Sequence, residues 1–456
     1  MKNFRHIMFL FAAMLAGCTS FVEVEVPDSQ LTGAIVFEDV ATANAAMADI
    51  YSKLRDSGVL TGQPSGTNAT LGLYSDELDY YGFGGDGMEF LFVNALLPSN
   101  PIVSDSWTMS YHQIYCCNAV IEGVAQSTAL TEAQKQQFTG EALFVRSLLH
   151  FYLLNMYGDI PIITTTDYEI NRLAERMPAS AVYERVVTDL NSAIALLPED
   201  YISDLRVRPN KYAAHASLAR VYLYKGDWAE AANAASAVLN SALYVWDTDL
   251  DNTFLKESTG TIWQFSPKLP GGNADESSVF LFFQGPPQLV ALSSSLMNAF
   301  ESGDLREEHW TEPVTDGTDT WYYAHKYKEI YNTENSIEYS VVFRLAEMYL
   351  IRAEARARQG DVTGAEEDLN IIRNHAGLPD TDAISADDIV AAVLRERSVE
   401  FFTEYGHRFF DLKRSGTMDA VLSTSKPGWN TTDALWPIPE TELLANPNLG
   451  NQNPGY

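Results

Sequence analysis

Two stretches of this chain, well separated in sequence, carry the same pattern. Asn210 to Lys225 has helical periodicity, is followed by Gly226-Asp227, and gives way to a second helical stretch from Trp228 to Leu239. Phe343 to Gln359 repeats this, followed by Gly360-Asp361 and then Val362 to His375. With the two Gly-Asp pairs aligned, Ala219 falls on Ala353, Ala231 on Ala365 and Val238 on Ile372. Small residues let helices cross closely, glycine closes the first helix and aspartate caps the second. Repeated hairpins of this kind must stack, because one pair cannot bury its apolar face alone.

The rest of the chain extends the pattern. Phe37-Glu38-Asp39 leads into Val40, Ala43, Met47, Ile50, Tyr51 and Leu54, one face of a 3.6-residue period. Thr131 reads as the cap of a long helix that ends before Gly158-Asp159, and Pro198 stops another. The fold class predicted is all-α dominated, with four helix pairs of tetratricopeptide type. They are 38–56 with 105–126, 132–157 with 180–197, 210–225 with 228–240, and 343–359 with 362–376. One unit over 37–456 is expected, its helical scaffold at about 37–240 and 341–416, with a last helical stretch from Asp387 to Arg414. Gly58 to Asn68, residues 74–100 and the Pro- and Asn-rich segment 417–456 read as irregular. The insertion at about 241–340 loses helical periodicity and is rich in Trp, Phe and Tyr among Gly, Pro, Ser and Asp. It reads as loops with short strands on the helical scaffold.

The N-terminus sets the location. Lys2 and Arg5 precede an apolar run from Ile7 to Leu15, which ends in Leu15-Ala16-Gly17-Cys18. A basic start, a short apolar stretch and small residues make a secretory signal, and a helix spanning a bilayer would need about 20 apolar residues. Cysteine directly after Leu-Ala-Gly makes the pattern a bacterial lipobox. Residues 1–17 would be removed, and Cys18 would carry lipid. Residues 18–36 then form a tether whose mean reach, on the flexible-chain relation, is on the order of 25 Å. The 61 acidic and 30 basic residues give a net charge of −31. Such a surface repels nucleic acid and suits a neutral ligand better than a polyanion. Solubility outside the cytoplasm is the plainer account of the same charge. Cys116 and Cys117 are helix neighbours pointing about 100° apart, so they read as small apolar residues, without a disulfide or a zinc site.

The chemical motifs are weak. Gly82-Phe83-Gly84-Gly85-Asp86-Gly87 matches a dinucleotide-binding string, but no βαβ unit, the context that gives it meaning, is visible around it. Asp247, Asp249 and Asp251 alternate like half a calcium loop, yet Asn252 and Ser258 stand where Gly and Glu are needed. His407 and Asp411 share a helix face with no evident nucleophile. No cofactor or metal site is expected. Hydrolysis by two carboxylates stays open, since an acidic chain offers many pairs. The aromatic loops point to binding. Tyr80, Tyr81 and Phe83 cluster in one, and Trp310, Trp321, Tyr322 and Tyr323 in another. Sugar rings stack on such faces while polar side chains take their hydroxyls. The predicted stacking residues are Tyr80, Tyr81, Trp310, Trp321 and Tyr322, with Asp79 and Asp86 as hydroxyl partners.

The chain resembles the SusD/RagB family of outer-membrane lipoproteins. The resemblance rests on the lipobox and on Gly140-Glu141-Ala142-Leu143-Phe144-Val145-Arg146 running to Tyr157-Gly158-Asp159-Ile160-Pro161. It rests further on Asp304-Leu305-Arg306, on Phe343-Arg344-Leu345-Ala346-Glu347-Met348-Tyr349, and on Leu369-Asn370-Ile371-Ile372-Arg373. Glu396-Arg397, Gly406-His407-Arg408-Phe409-Phe410-Asp411-Leu412-Lys413-Arg414 and the ending Trp436-Pro437-Ile438-Pro439 to Asn453-Pro454-Gly455-Tyr456 complete it. It implies a tetratricopeptide scaffold with variable ligand-binding loops, held on the outer membrane at the cell surface by lipid. It implies capture of an oligosaccharide or polysaccharide, without catalysis, and delivery to a SusC-like TonB-dependent barrel. Peptide capture is the alternative within the family, and a glycoside hydrolase the alternative outside it. Arg408 and Asp411 are implied to be structural ion-pair partners. Ligand residues vary within the family and cannot be carried over by motif.

Overall fold

The computed structural model describes residues 36–456. The signal sequence 1–17, the lipidation site Cys18 and all but the last residue of the 18–36 tether lie outside the described residues. No described helix is long and apolar enough to cross a membrane.

Helices dominate, and their ends follow local chemistry. Helix α1 (Val40–Asp56) is capped by the Asp39 carboxylate, which accepts from the amides of Ala41 and Thr42. Helices α2 (Thr67–Tyr74) and α3 (Gly87–Phe92) follow. Helix α4 (Pro101–Gln126) starts with Asn100 as cap and Pro101 in the first turn. Helix α5 (Glu132–Tyr157) opens with a reciprocal Thr131–Gln134 capping box. Then come α6 (Ala179–Leu196), α7 (Lys211–Lys225), α8 (Trp228–Leu239), α9 (Leu345–Arg358), α10 (Val362–His375), α11 (Ala386–Glu400), α12 (His407–Ser415) and α13 (Met418–Ser425). Both hairpin glycines take positive φ, +78° at Gly226 and +84° at Gly360, which other residues adopt only with strain. Asp361 caps α10 through the Gly364 amide. Asp227 makes no such bond and its carboxylate instead pairs with Lys225.

From α4 onward, consecutive helices pack in chain order: α4 on α5, α5 on α6, α6 on α7, and α7 on α8. Helix α8 then packs on α9, which also carries α10 and α11. The two hairpins are thus neighbours in space, and the insertion between them leaves the stack and returns. Buried bidentate pairs lock the joints. Arg146 binds Asp189 between α5 and α6, and Arg220 binds Glu347 between α7 and α9. Arg397 and Arg414 share Asp411, and Arg414 also holds Glu354. Arg408 pairs with Asp76.

Several irregular readings are corrected. Helix α2 overlaps the segments read as irregular at Thr67, Asn68 and Tyr74, and its middle carries no predicted element, because all eight of its residues are buried, which leaves no polar face to set a period. Residues 74–100 contain α3, and 417–456 contain α13. The C-terminal segment is also core, with Trp436 and Ile438 fully buried and Asn453 bonded to Tyr157 and Trp436 carbonyls. The first two residues of the second hairpin, Phe343 and Arg344, belong instead to strand β6 (Ser340–Arg344), paired antiparallel with β2 (Thr261–Phe265). A short buried run around two valines gives no period to separate strand from helix. A second sheet has the order β1-β3-β5-β4, from β1 (Leu78–Tyr80), β3 (Val290–Leu292), β4 (Thr311–Thr315) and β5 (Thr320–Ala324).

Removing Arg306, the counterion of Asp304, Glu396 and Glu400, leaves buried carboxylates without compensation. Arg306→Met is expected to cost about 3–5 kcal/mol in chemical denaturation. A second test concerns Glu77, whose carboxyl is pushed up to about 8 by burial, with Asp76 adding to the effect. Between the ordinary carboxyl value, roughly 4.5, and about 8, the folded chain holds a proton that the unfolded chain releases. That contribution therefore falls as pH rises through this window. Urea unfolding at pH 5 and pH 8 should show a smaller pH dependence for Glu77→Gln than for the parent.

Candidate functional site

The four-stranded sheet decides which predicted site residues meet. Leu78 is paired with Leu292, and Leu292 with Tyr322, so these three share the face turned to the core. Alternation puts their neighbours on the other face. Asp79 is paired with Ala291, Trp321 with Val314, and Tyr323 with Glu312. Tyr81, two residues beyond Asp79, continues that face, its amide donating to the Leu289 carbonyl at 2.8 Å. Asp79, Tyr81 and Trp321 thus lie on the outer face of one sheet, although they come from two distant loops, while Tyr323 on the same face is buried and packed against Phe282 and Phe283.

The contacts fix their geometry. Tyr81 lies beside the Trp321 side chain, and its hydroxyl is raised from its ordinary value by burial and then by Asp79. The Trp321 indole lies over Gly285, where a β-carbon would fall 2.0 Å from the ring, so only glycine allows that approach. Tyr323 is the hub of an aromatic cluster, 5.3 Å from the Phe282 ring and 6.4 Å from Phe283. Beside it lies a cavity of about 410 Å³, whose lining includes Phe282, Phe283, Gln284, Gln288, Leu289 and Tyr331. Its size falls in the range of ligand pockets, roughly 300–1,000 Å³. Phe283 is 63% exposed and Tyr331 75%. Apolar faces beside amide side chains form a surface that can stack a ring and take its hydroxyls.

Other predicted residues do different work. Trp310 is buried, its indole donating to the Leu250 carbonyl at 3.2 Å, with Phe254 edge-on at 5.5 Å and the Lys326 ammonium 5.0 Å from the ring centre. It is a core residue with no face to offer a ligand. Tyr322 points to the core face, one position out of phase with Trp321. Tyr80 and Asp86 are bonded to each other, and Asp86 also caps α3 through the Met88 and Glu89 amides. Asp86 is thereby committed to its own chain. Gly82 closes over Tyr80, and Phe83 at the loop tip is 89% exposed. The carboxyl of Asp79 is half-buried and raised by burial, which Lys426 opposes. Phe282, Phe283, Gln284, Gln288, Tyr323 and Tyr331 were not among the predicted residues. Aromatic density marked their region, but only the strand register selects them.

The other motifs are absorbed by structure. The glycine-rich string has no βαβ unit around it. Asp249 caps a short turn, and Asp251 pairs with Lys328 and His309. His407 and Asp411 both contact Arg397 in the interior. Among the described residues, no group of three or more His, Cys, Asp or Glu side chains could hold a metal ion.

The core and surface aromatics should separate by stability. Trp310→Ala is expected to cost about 3–5 kcal/mol in chemical denaturation. Phe83→Ala should stay within about 0.5 kcal/mol. Equal, small effects would take Trp310 out of the core.

Comparison with known proteins bears on the family and the fold. Residues 86–223 match the family described as starch-binding, associating with the outer membrane, and residues 306–456 match the SusD family. SusD-like protein P2 of Formosa agariphila is 25% identical, with all of both chains covered. Starch-binding protein SusD of Bacteroides thetaiotaomicron is 24% identical over 73% of this chain and 75% of its own. A solved laminarin-binding SusD-like protein superposes with a TM-score of 0.77 at 25% identity, covering 91% of this chain and 99% of its own.

Proposed function

Because the chain belongs to the SusD/RagB family, we propose that it is a non-catalytic binding lipoprotein of the outer membrane. It captures an oligosaccharide or polysaccharide at the cell surface and delivers it to a SusC-like TonB-dependent transporter. Lipid on Cys18 holds it there. One observation carries the glycan reading: a single sheet face sets Tyr81 and Trp321 side by side, with the buried Tyr323 joining that face to Phe282 and Phe283, which line a cavity. Flat rings in a shared surface, with Gln284, Gln288 and Asp79 around them, suit a pyranose ring and its hydroxyls. The starch-binding and laminarin-binding relatives support the same ligand class.

Calorimetry with malto- and laminari-oligosaccharides and a peptide panel tests this. Glycan binding is expected, with Trp321→Ala and Tyr81→Ala each weakening it by about 2 kcal/mol or more, roughly 30-fold, at unchanged stability. Normal binding by both variants would sink the site. Binding of peptides alone would move the function to peptide capture. Release of new reducing ends by the purified protein would make it a glycoside hydrolase.

A further inference from the structure

Besides the cavity next to Tyr323, another of about 340 Å³ is floored by Trp107, Tyr111 and Tyr115 of α4 and shares no lining residue with it. Among the described residues, no charged side chain lines the cavity next to Tyr323. A ligand there meets apolar faces and amide groups, so its affinity depends on where the rings stand. Two of those rings, Phe283 and Tyr331, are largely exposed. They are placed in different ways. Phe283 packs on Tyr323. Tyr331 lies between β5 and β6, in a stretch without helix or strand, and its exposure leaves packing little hold on it.

The backbone beneath Tyr331 is fixed instead. Glu338, a buried residue, closes the base of this stretch, its carboxylate accepting from the amides of Lys328 and Glu329 at 2.7 and 3.0 Å. That closure stops at Glu329. Asn273, from the loop after β2, reaches further. Its side-chain nitrogen donates to the Tyr331 carbonyl at 3.0 Å and to the Thr333 hydroxyl at 3.3 Å. Its side-chain oxygen accepts from the amides of Ile337 and Glu338 at 2.8 and 3.1 Å. The Thr333 amide donates in turn to the Gly271 carbonyl at 2.8 Å. One side chain thus bonds the outgoing and the returning limb of the loop. An amide carries donors and an acceptor on one short stem, whereas a carboxylate accepts but cannot donate.

Closing the loop would need only Glu338. The added bond at Tyr331 orders the backbone under a ring that the core does not use. Such order costs conformational entropy without adding core contact, and it lowers the entropy that a ligand must give up on binding. Sites keep their geometry through supporting contacts of this kind.

We propose that Asn273 is a positioning residue of the ligand site, holding Tyr331 at the cavity as a second aromatic wall beside Phe283, so that a bound sugar ring meets both. The inference rests on the reading that this cavity and its sheet face bind a glycan, and it names what sets one wall.

Calorimetry of the full mature chain with malto- and laminari-oligosaccharides tests it. Tyr331→Ala is expected to weaken binding by about fivefold or more. Asn273→Ala should weaken it by about threefold or more. The double variant Asn273→Ala, Tyr331→Ala should bind no more weakly than Tyr331→Ala alone, because the amide acts through that ring. Made on Trp321→Ala, the same Asn273→Ala change should show its full effect. Asn273→Asp keeps the acceptor for Ile337 and Glu338 and loses the donor to Tyr331. It should weaken binding as Asn273→Ala does, and it replaces that variant throughout if the alanine form does not fold. Parent-like affinity in Tyr331→Ala or in the Asn273 variants would overturn the proposal. So would an undiminished Asn273 effect on the Tyr331→Ala background, which is what a general loosening of the site would give. If the parent binds no oligosaccharide, the glycan reading falls and takes this inference with it.

Discussion

One buried carboxylate, Glu400, ties the binding region to the scaffold. It accepts from Arg306, which comes from the insertion, and from Arg344, the last residue of β6. Burial alone would raise its carboxyl, but Arg344 and Arg306 together outweigh burial and hold it down at about 2. Arg306 also binds Asp304 and Glu396, and Arg344 also binds Glu404, which receives Lys326. Lys326 sits two residues past β5, the strand that carries Trp321 and Tyr323. The aromatic sheet is thus held at a fixed distance from the helices by ionic contacts that no water screens. Ion pairs of this kind contribute little net stability against an apolar core, but losing one partner is costly, so they specify one arrangement over others.

The same economy of position explains why Trp310 and Trp321, close in sequence, have different fates. Trp310 ends a short helix whose inner side rests on Phe254 and the Lys326 ammonium, so its ring serves the junction. Trp321 follows the turn between β4 and β5 and falls on the solvent face by the parity of the strand. A one-residue shift of register would exchange Trp321 with Tyr322 and remove the candidate surface. The Gly285 approach beneath the indole and the Tyr81 contact beside it oppose such a slip.

The two cavities lie on different parts of the fold. One lies among loops that the scaffold does not need, where residues can change without disturbing the stack. The other is built into α4, beside the point where the described chain begins.

Much of the helical stack was legible in the sequence, because it follows from local chemistry. The Gly-Asp hairpins, the Thr131 capping box and the small residues at helix crossings act within a few residues of themselves, and helical period survives wherever one face meets solvent. Helix α2 and strand β6 were missed for the opposite reason: buried on every side, they have no polar face to mark a period. The candidate surface is half legible in the sequence. Aromatic and acidic density marks Tyr81, Trp321 and Asp79, and the same density also offers Trp310, Tyr80, Tyr322 and Asp86. What separates these sets is cross-strand register and the packing of Phe254 and Lys326 on Trp310. Those are contacts between residues far apart in the chain, which no local pattern encodes and only the tertiary structure decides.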